Sequence, residues 1–168
     1  MEFEEVVKKR TATRKFSNRK VDEKTLEQIL KIGSLAPTAK NLQPQQTYVL
    51  QSAEALNKTD EITPCRYNAP SVLLVCSDKN IAWSDDGYSS YETDACIVAT
   101  HMILEATNLG VDSIWVRKFN AANVKKVFGL PENIQPVCLI PLGYADESYQ
   151  GNPLHTKRKP LEETVKFM

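Results

Sequence analysis

Lys9-Arg10-Thr11-Ala12-Thr13-Arg14-Lys15-Phe16 places four cations and two hydroxyls in eight residues. A stretch of that composition is suited to holding an anion. In a helical or nearly helical segment Arg10 and Arg14, four apart, share a face, where two guanidinium forks can address one ligand from the same side. Phe16 then anchors the stretch to the core. The competing reading makes these charges a solvated face between two helices. Just upstream, Phe3, Val6 and Val7 at helical spacing predict a short helix that delivers Arg10 to its place.

Working outward, Asp22 is a candidate N-cap for a helix carrying Leu26, Ile29, Leu30 and Gly33 and stopping near Leu35. Ser34 to Gln45 sets Pro37 and Pro44 among small polar residues, which forbids regular structure and reads as a ligand-type loop. Thr47 to Gln51 predicts a strand, Ser52 the cap of a short helix to about Asn57, and Asn57 to Asn68 irregular chain. Val72-Leu73-Leu74-Val75-Cys76 predicts a central strand buried on both faces and ended by Ser77 and Asp78. Ile81 to Tyr88 predicts a surface loop built on Ser84-Asp85-Asp86-Gly87, with Trp83 tucked beneath it. Ser89 or Ser90 caps the longest helix, to about Asn108, whose apolar residues predict a central helix buried all round; Gly110 follows as its left-handed terminator. Val111 to Val116 predicts a strand. Asn120 caps a helix over Ala121 to Phe128, closed by Gly129-Leu130-Pro131, and Val137 to Leu142 predicts a buried strand that Pro141 puts near an edge or ends. Trp83 and Trp115 read as packing residues, and Lys157 and Lys159 as solvated neighbours of Arg158.

Composition narrows the function classes. The 168 residues suit one domain, residues 1–168, with 145–168 as a polar arm. Lys plus Arg and Asp plus Glu both count 21, so no net field draws the chain to nucleic acid, and an anion must be recognised locally. No apolar run approaches the length of a membrane span, and no membrane partner is expected. Cys65, Cys76, Cys96 and Cys138 form no CxxC pair, which predicts reduced thiols and a cytoplasmic location; His101 and His155 lack a second ligand nearby, so no metal is expected. The arm's apolar points, Leu154, Leu161, Val165 and Phe167, favour packing on another surface, a second subunit among the candidates.

Several separated segments, in order, resemble the nitroreductase family of flavin enzymes. Arg10-Thr11-Ala12-Thr13-Arg14-Lys15-Phe16 resembles that family's Arg-Arg-Ser-x-Arg-x-Phe opening, and Ala36-Pro37-Thr38-Ala39-Lys40-Asn41-Leu42-Gln43-Pro44 its Ala-Pro-Ser-x-x-Asn-x-Gln-Pro loop. Leu109-Gly110-Val111, Gly129-Leu130-Pro131-Glu132, Leu142-Gly143-Tyr144 and Arg158-Lys159-Pro160-Leu161-Glu162-Glu163 follow in the family's order. The resemblance implies an α+β fold with a central, mostly antiparallel sheet flanked by helices, the central helix at a dimer interface, and a C-terminal arm exchanged between subunits.

It also implies FMN between the subunits of a homodimer, held by Arg10, Thr11, Ala12 and Arg14 of one chain and Pro37, Thr38, Ala39 and Asn41 of the other, with Arg158 on the phosphate. In the family a cation at the Arg14 position faces the flavin edge where negative charge collects on reduction. The implied activity is hydride transfer from NADH or NADPH to flavin N5, then reduction of a small organic acceptor such as a nitroaromatic or quinone, with no side chain required as acid or base. Alternatives are a flavin-binding carrier or sensor without nicotinamide turnover, another flavin reaction on the same fold, and a flavin-free domain. The chain departs from the family's pattern in four places. Thr11 and Ala12 replace an arginine and a serine, so a phosphate-contacting hydroxyl must come from Thr11 or Thr13. Val116-Arg117-Lys118-Phe119 replaces a glycine-containing pair, which leaves the Lys118 amide as the candidate donor to N5. Gln45 stands where an aromatic is usual, and the chain is too short for the helical excursion that often walls the substrate pocket.

Overall fold

Val72-Leu73-Leu74-Val75-Cys76 has no polar face, and a strand of that kind must be covered on both sides. The computed structural model, which describes residues 1–168, places it within a strand whose eight residues are all buried. In chain order the elements are α1 (Phe3–Lys9), α2 (Glu23–Ser34), β1 (Gln45–Leu50), α3 (Ala53–Ile62), β2 (Ser71–Asp78), β3 (Ser84–Asp85), β4 (Tyr88–Ser89), α4 (Tyr91–Asn108), β5 (Asp112–Ser113), α5 (Ala121–Phe128), β6 (Ile134–Gly143) and α6 (Leu161–Thr164). The main sheet is antiparallel in the order β1-β2-β6-β5, while β3 and β4 form a separate small hairpin. This is the α+β architecture expected.

The period-2 alternation of the strands sorts the core into two layers. Leu73, Val75, Ile140 and Leu142 join α2 and α4 on one face, whereas Val72, Leu74, Cys76 and Leu139 join Ile62 of α3 and Val124 of α5 on the other. Val137 and Cys138, adjacent in sequence, both lie on the α4 face. A bulge explains this: the register of β2 on β6 shifts between Val75 and Cys76, which pair with Cys138 and Pro136 and leave Val137 as the extra residue.

Helix starts follow local chemistry. The Asp22 carboxylate accepts from Thr25 N–H, Ser52 Oγ from Ala55 N–H and Asn120 Oδ1 from Asn123 N–H. Gly110 and Gly129 take the left-handed conformation after α4 and α5.

Several expectations are corrected. The chain from Arg10 to Phe16 is extended rather than helical, because it laces onto strands: Thr13 N–H donates to Ser113 O (3.0 Å), and Ala12 and Phe16 bridge to Ser113 and Ala145. Helix α3 runs on to Ile62, since Thr59 and Ile62 are buried against the core. Strand β2 includes Ser77 and Asp78, both buried. The strand expected over Val111 to Val116 is regular only at Asp112–Ser113, then touches β6 at a single Val116–Leu139 bridge. Strand β6 lies beside the short edge strand β5 and ends at Gly143, in keeping with Pro141: the Pro141 carbonyl faces the β5 side and accepts from Ile114 N–H (3.2 Å), so the missing N–H also faces that side, where the ladder ends. Helix α4 is covered on one face only; Glu92, Thr93 and Thr100 are exposed and Cys96, Ile97, His101 and Leu104 half-buried.

Candidate functional site

The extended stretch after α1 lies between two supports. On one side it hydrogen-bonds to Ser113, whose neighbour Asp112 accepts from the Thr13 hydroxyl and from Ala145 N–H. On the other, the chain after β6 folds back over it. Asp146 N–H donates to Lys15 O, Lys15 pairs with the Asp146 carboxylate (3.2 Å), the Tyr149 hydroxyl donates to Ala12 O (2.9 Å), and His155 Nε2 lies 3.1 Å from Lys8 O. Hydrogen bonds from the Ser148 hydroxyl and amide, with Lys15 beside it, lower the Asp146 carboxyl to about 2.

Between stretch and fold-back lies a cavity of about 220 Å³ lined by Arg10, Thr11, Ala12, Arg14, Asn152, Leu154, His155 and Arg158. It holds three guanidinium groups and no carboxylate. Arg158 is fixed by donating from Nη1 to His155 O (2.6 Å) and Lys157 O (2.7 Å), and Arg14 Nη1 donates to Ala12 O (3.3 Å). The Arg10 guanidinium has no protein partner among the hydrogen bonds and ion pairs. Such a donor set suits a dianion such as a phosphate monoester, held by charge-assisted bonds. Thr13 is fully buried with its hydroxyl toward Asp112, so Thr11 is the hydroxyl on the cavity wall.

Arg10 also borders a second cavity, of about 380 Å³, with Cys96, Thr100, Ile103, Ser113, Ile114 and Trp115. Two of its residues were not anticipated. Trp115, expected to pack, is 42 % exposed, and Ser113 is buried with no hydrogen-bond partner for its hydroxyl. The signal in the sequence was a lone serine among apolar strand residues. Burial and the Glu92 carboxylate raise the Cys96 thiol on the same wall.

The structure thus brings Arg10, Thr11, Ala12, Arg14 and Arg158 together. Pro37, Thr38, Ala39 and Asn41 sit in a separate loop containing a 3-10 turn, Ala39–Asn41, and do not border the arginine cavity of their own chain. The Ala39 N–H donates to Asp94 Oδ1 (2.9 Å) and its carbonyl accepts from Leu42 N–H, so both its backbone groups are engaged. Lys118 is exposed beyond the Val116 bridge, and its amide has no protein acceptor. Next to it Arg117 leans toward Glu92, with Nε 3.7 Å from Oε1, and covers the Phe119 ring at 4.8 Å.

A model of the nitroreductase family matches residues 7–66 and 57–144. A nitroreductase family protein from Clostridium difficile 630 is 38 % identical and superposes with a TM-score of 0.93, covering 99 % of this chain and 98 % of its own. A relative from Methanothermobacter thermautotrophicus, provisionally named an NADH dehydrogenase/NAD(P)H nitroreductase, is 28 % identical over 155 residues, 88 % of this chain and 80 % of the relative. A provisionally named nitroreductase from Exiguobacterium sibiricum 255-15, solved in complex with FMN, shares the fold at a TM-score of 0.87 with 20 % identity, over 100 % of this chain and 98 % of its own. With sheet, helices and motif order in agreement along the matched residues, the chain has a nitroreductase-like fold and belongs to the nitroreductase family.

Proposed function

We propose that the chain is an FMN-dependent oxidoreductase working as a homodimer, with residues 1–168 as one domain and 145–168 as its arm. The observation that carries this reading is the cavity in which Arg10, Arg14 and Arg158 converge without a carboxylate. When bound, FMN supplies transfer of a hydride from NADH or NADPH and of electrons to a small organic acceptor, such as a nitroaromatic or quinone.

The residues present fit that cofactor. Arg10 and Arg158 hold the phosphate, with Thr11 adding a hydroxyl. A cavity of about 220 Å³ is below the roughly 300 Å³ at which ligand pockets usually begin, so it takes a head group, and the cavity that shares Arg10 lies beside it for the rest. Arg14 supplies positive charge near the ring edge where reduction places negative charge. The unused Lys118 amide is available to a ring acceptor. Pro37, Thr38, Ala39 and Asn41 are read as the second subunit's contribution, since they lie away from their own chain's cavity.

A carrier or sensor is the second reading, favoured by the exposed Arg117 and Lys118 side chains flanking that amide. FMN titration of Arg14→Ala and Arg158→Ala tests the site: each is expected to bind FMN at least about tenfold more weakly while folding normally. Wild-type affinity in both would contradict the assignment.

A further inference from the structure

The loop from Thr38 to Gln43 contains three non-glycine residues at positive φ, Lys40 (50°), Asn41 (54°) and Gln43 (50°). Each is strained relative to ordinary backbone. Part of the shape is fixed from within: Asn41 N–H donates to Thr38 O (2.9 Å), Leu42 N–H to Ala39 O (3.1 Å) and Gln43 N–H to Thr38 Oγ1 (3.1 Å). Those bonds set the curl of the turn but not its place on the molecule. Across all of Thr38 to Gln43, one hydrogen bond reaches another part of the fold, from Ala39 N–H to Asp94 Oδ1.

Asp94 is well made for that task. It is 3 % exposed, and its other oxygen, Oδ2, accepts from the Ser90 hydroxyl (2.7 Å). It lies in the first turn of the 18-residue α4, where the helix dipole favours a carboxylate. The carboxylate is therefore held at both oxygens, with the amide of a strained loop as one of its two partners.

We infer that Asp94 is a positioning residue, which docks the Thr38–Asn41 turn on the start of α4 and so presents it to the flavin. This rests on the reading that the turn contributes to the FMN site. Asp94 touches no cofactor itself; it acts through the Ala39 amide. Because α4 and the loop are joined here, the helix that would face a second subunit and the loop that would reach its flavin move as one piece.

Three variants separate this role from simple core damage. Asp94→Ala removes the acceptor, and Asp94→Asn keeps one. Ala39→Pro removes the N–H and sets the ring Cδ where that hydrogen met Asp94 Oδ1, which undocks the turn while Asp94 keeps its bond from the Ser90 hydroxyl. Thr38 already has φ −129° and ψ 157°, the extended conformation a residue before proline adopts, and the first position of a 3-10 turn tolerates proline. FMN affinity is measured by fluorescence titration alongside circular-dichroism melting, with Arg158→Ala as the reference for the cofactor site.

The inference expects Asp94→Ala and Ala39→Pro each to weaken FMN binding at least about tenfold, the double variant to be no worse than the weaker single, and Asp94→Asn to stay within about threefold of wild type. If Asp94→Ala does not fold, Ala39→Pro decides alone. Wild-type affinity in Ala39→Pro, or a loss in Asp94→Asn as large as in Asp94→Ala, overturns the role of Asp94 while leaving the arginine site standing. Wild-type affinity in Arg158→Ala overturns the cofactor reading itself, and this inference with it.

Discussion

In the proposed site Arg10 is the cation left for an anion: its guanidinium borders two cavities and has no protein partner, whereas Arg14 donates to one backbone carbonyl and Arg158 to two. Their roles should separate by experiment. Arg14→Ala is expected to lower the flavin reduction potential, measured by anaerobic redox titration, and Arg14→Lys to retain most of it, because a cation remains near the ring; equal potentials in all three would remove Arg14 from that role. The thiols give a second residue-level test. Burial pushes Cys76 up to about 12 and Cys138 further still, from an ordinary value of 9.0. A folded-state value above the unfolded one contributes stability that is complete below about pH 9 and is lost as pH rises toward the folded value. Chemical denaturation should therefore show the midpoint falling above about pH 9 in a way that Cys76→Ala/Cys138→Ala softens. Alkylation of the native protein at pH 8 should modify half-buried Cys65 before Cys96, and neither Cys76 nor Cys138 until unfolding.

Contact between helices is decided at single positions. Gly33 of α2 faces Met102 of α4 so closely that an added Cβ would lie 2.5 Å from Met102 Cγ and 3.0 Å from its Sδ. Alanine in a helix gains about 1 kcal/mol over glycine, but overpacking a buried contact costs about 1–3 kcal/mol. Since Met102 is itself buried, Gly33→Ala should be net destabilising by roughly 1 kcal/mol, read from urea denaturation; a stabilised variant would show that α2 and α4 have slack. Removing the cap of α5 with Asn120→Ala should cost about 1 kcal/mol in the same measurement.

These elements also show what a sequence can disclose. Asp22, Ser52 and Asn120 were legible as caps because a cap is a bond between a side chain and an amide three residues away. Val72 to Cys76 was legible because an unbroken apolar run has one suitable place in a sheet. The extended path of Arg10 to Phe16 was not, since its backbone bonds go to Tyr67, Ser113 and Asp146, about fifty or more positions away. Pro141 marked the neighbourhood of an edge, but which neighbour its missing N–H faces was set by the sheet order. Of the site, the arginines were visible as a charge cluster that motif order joined to Arg158, whereas Ser113 and Asp94 acquire meaning only through a cavity and a distant amide.

The whole molecule leaves apolar surface that one protomer does not cover. Leu161 (67 %), Phe167 (95 %) and Met168 are exposed in the last residues, and Leu35 (70 %) and Phe3 (72 %) elsewhere. The outer face of α4 is half open, and the apolar cavity of about 400 Å³ between α1 and α4 includes Phe3, Val6, Ile32 and Leu104. No helix is long and apolar enough to cross a membrane. A second copy of the chain is the partner this reading expects. Light scattering should give a dimer, and deleting residues 160–168 should raise its dissociation constant at least about tenfold, whereas a full-length monomer at micromolar concentration would contradict the shared site.

The central claim concerns turnover, and the most direct test is the visible spectrum of the FMN-loaded protein under anaerobic conditions, before and after adding NADH or NADPH. The oxidoreductase reading predicts that the flavin band bleaches at a catalytically useful rate and returns when a quinone or nitroaromatic is added. A band that persists with both nucleotides would contradict it and leave a flavin-binding carrier or sensor in its place.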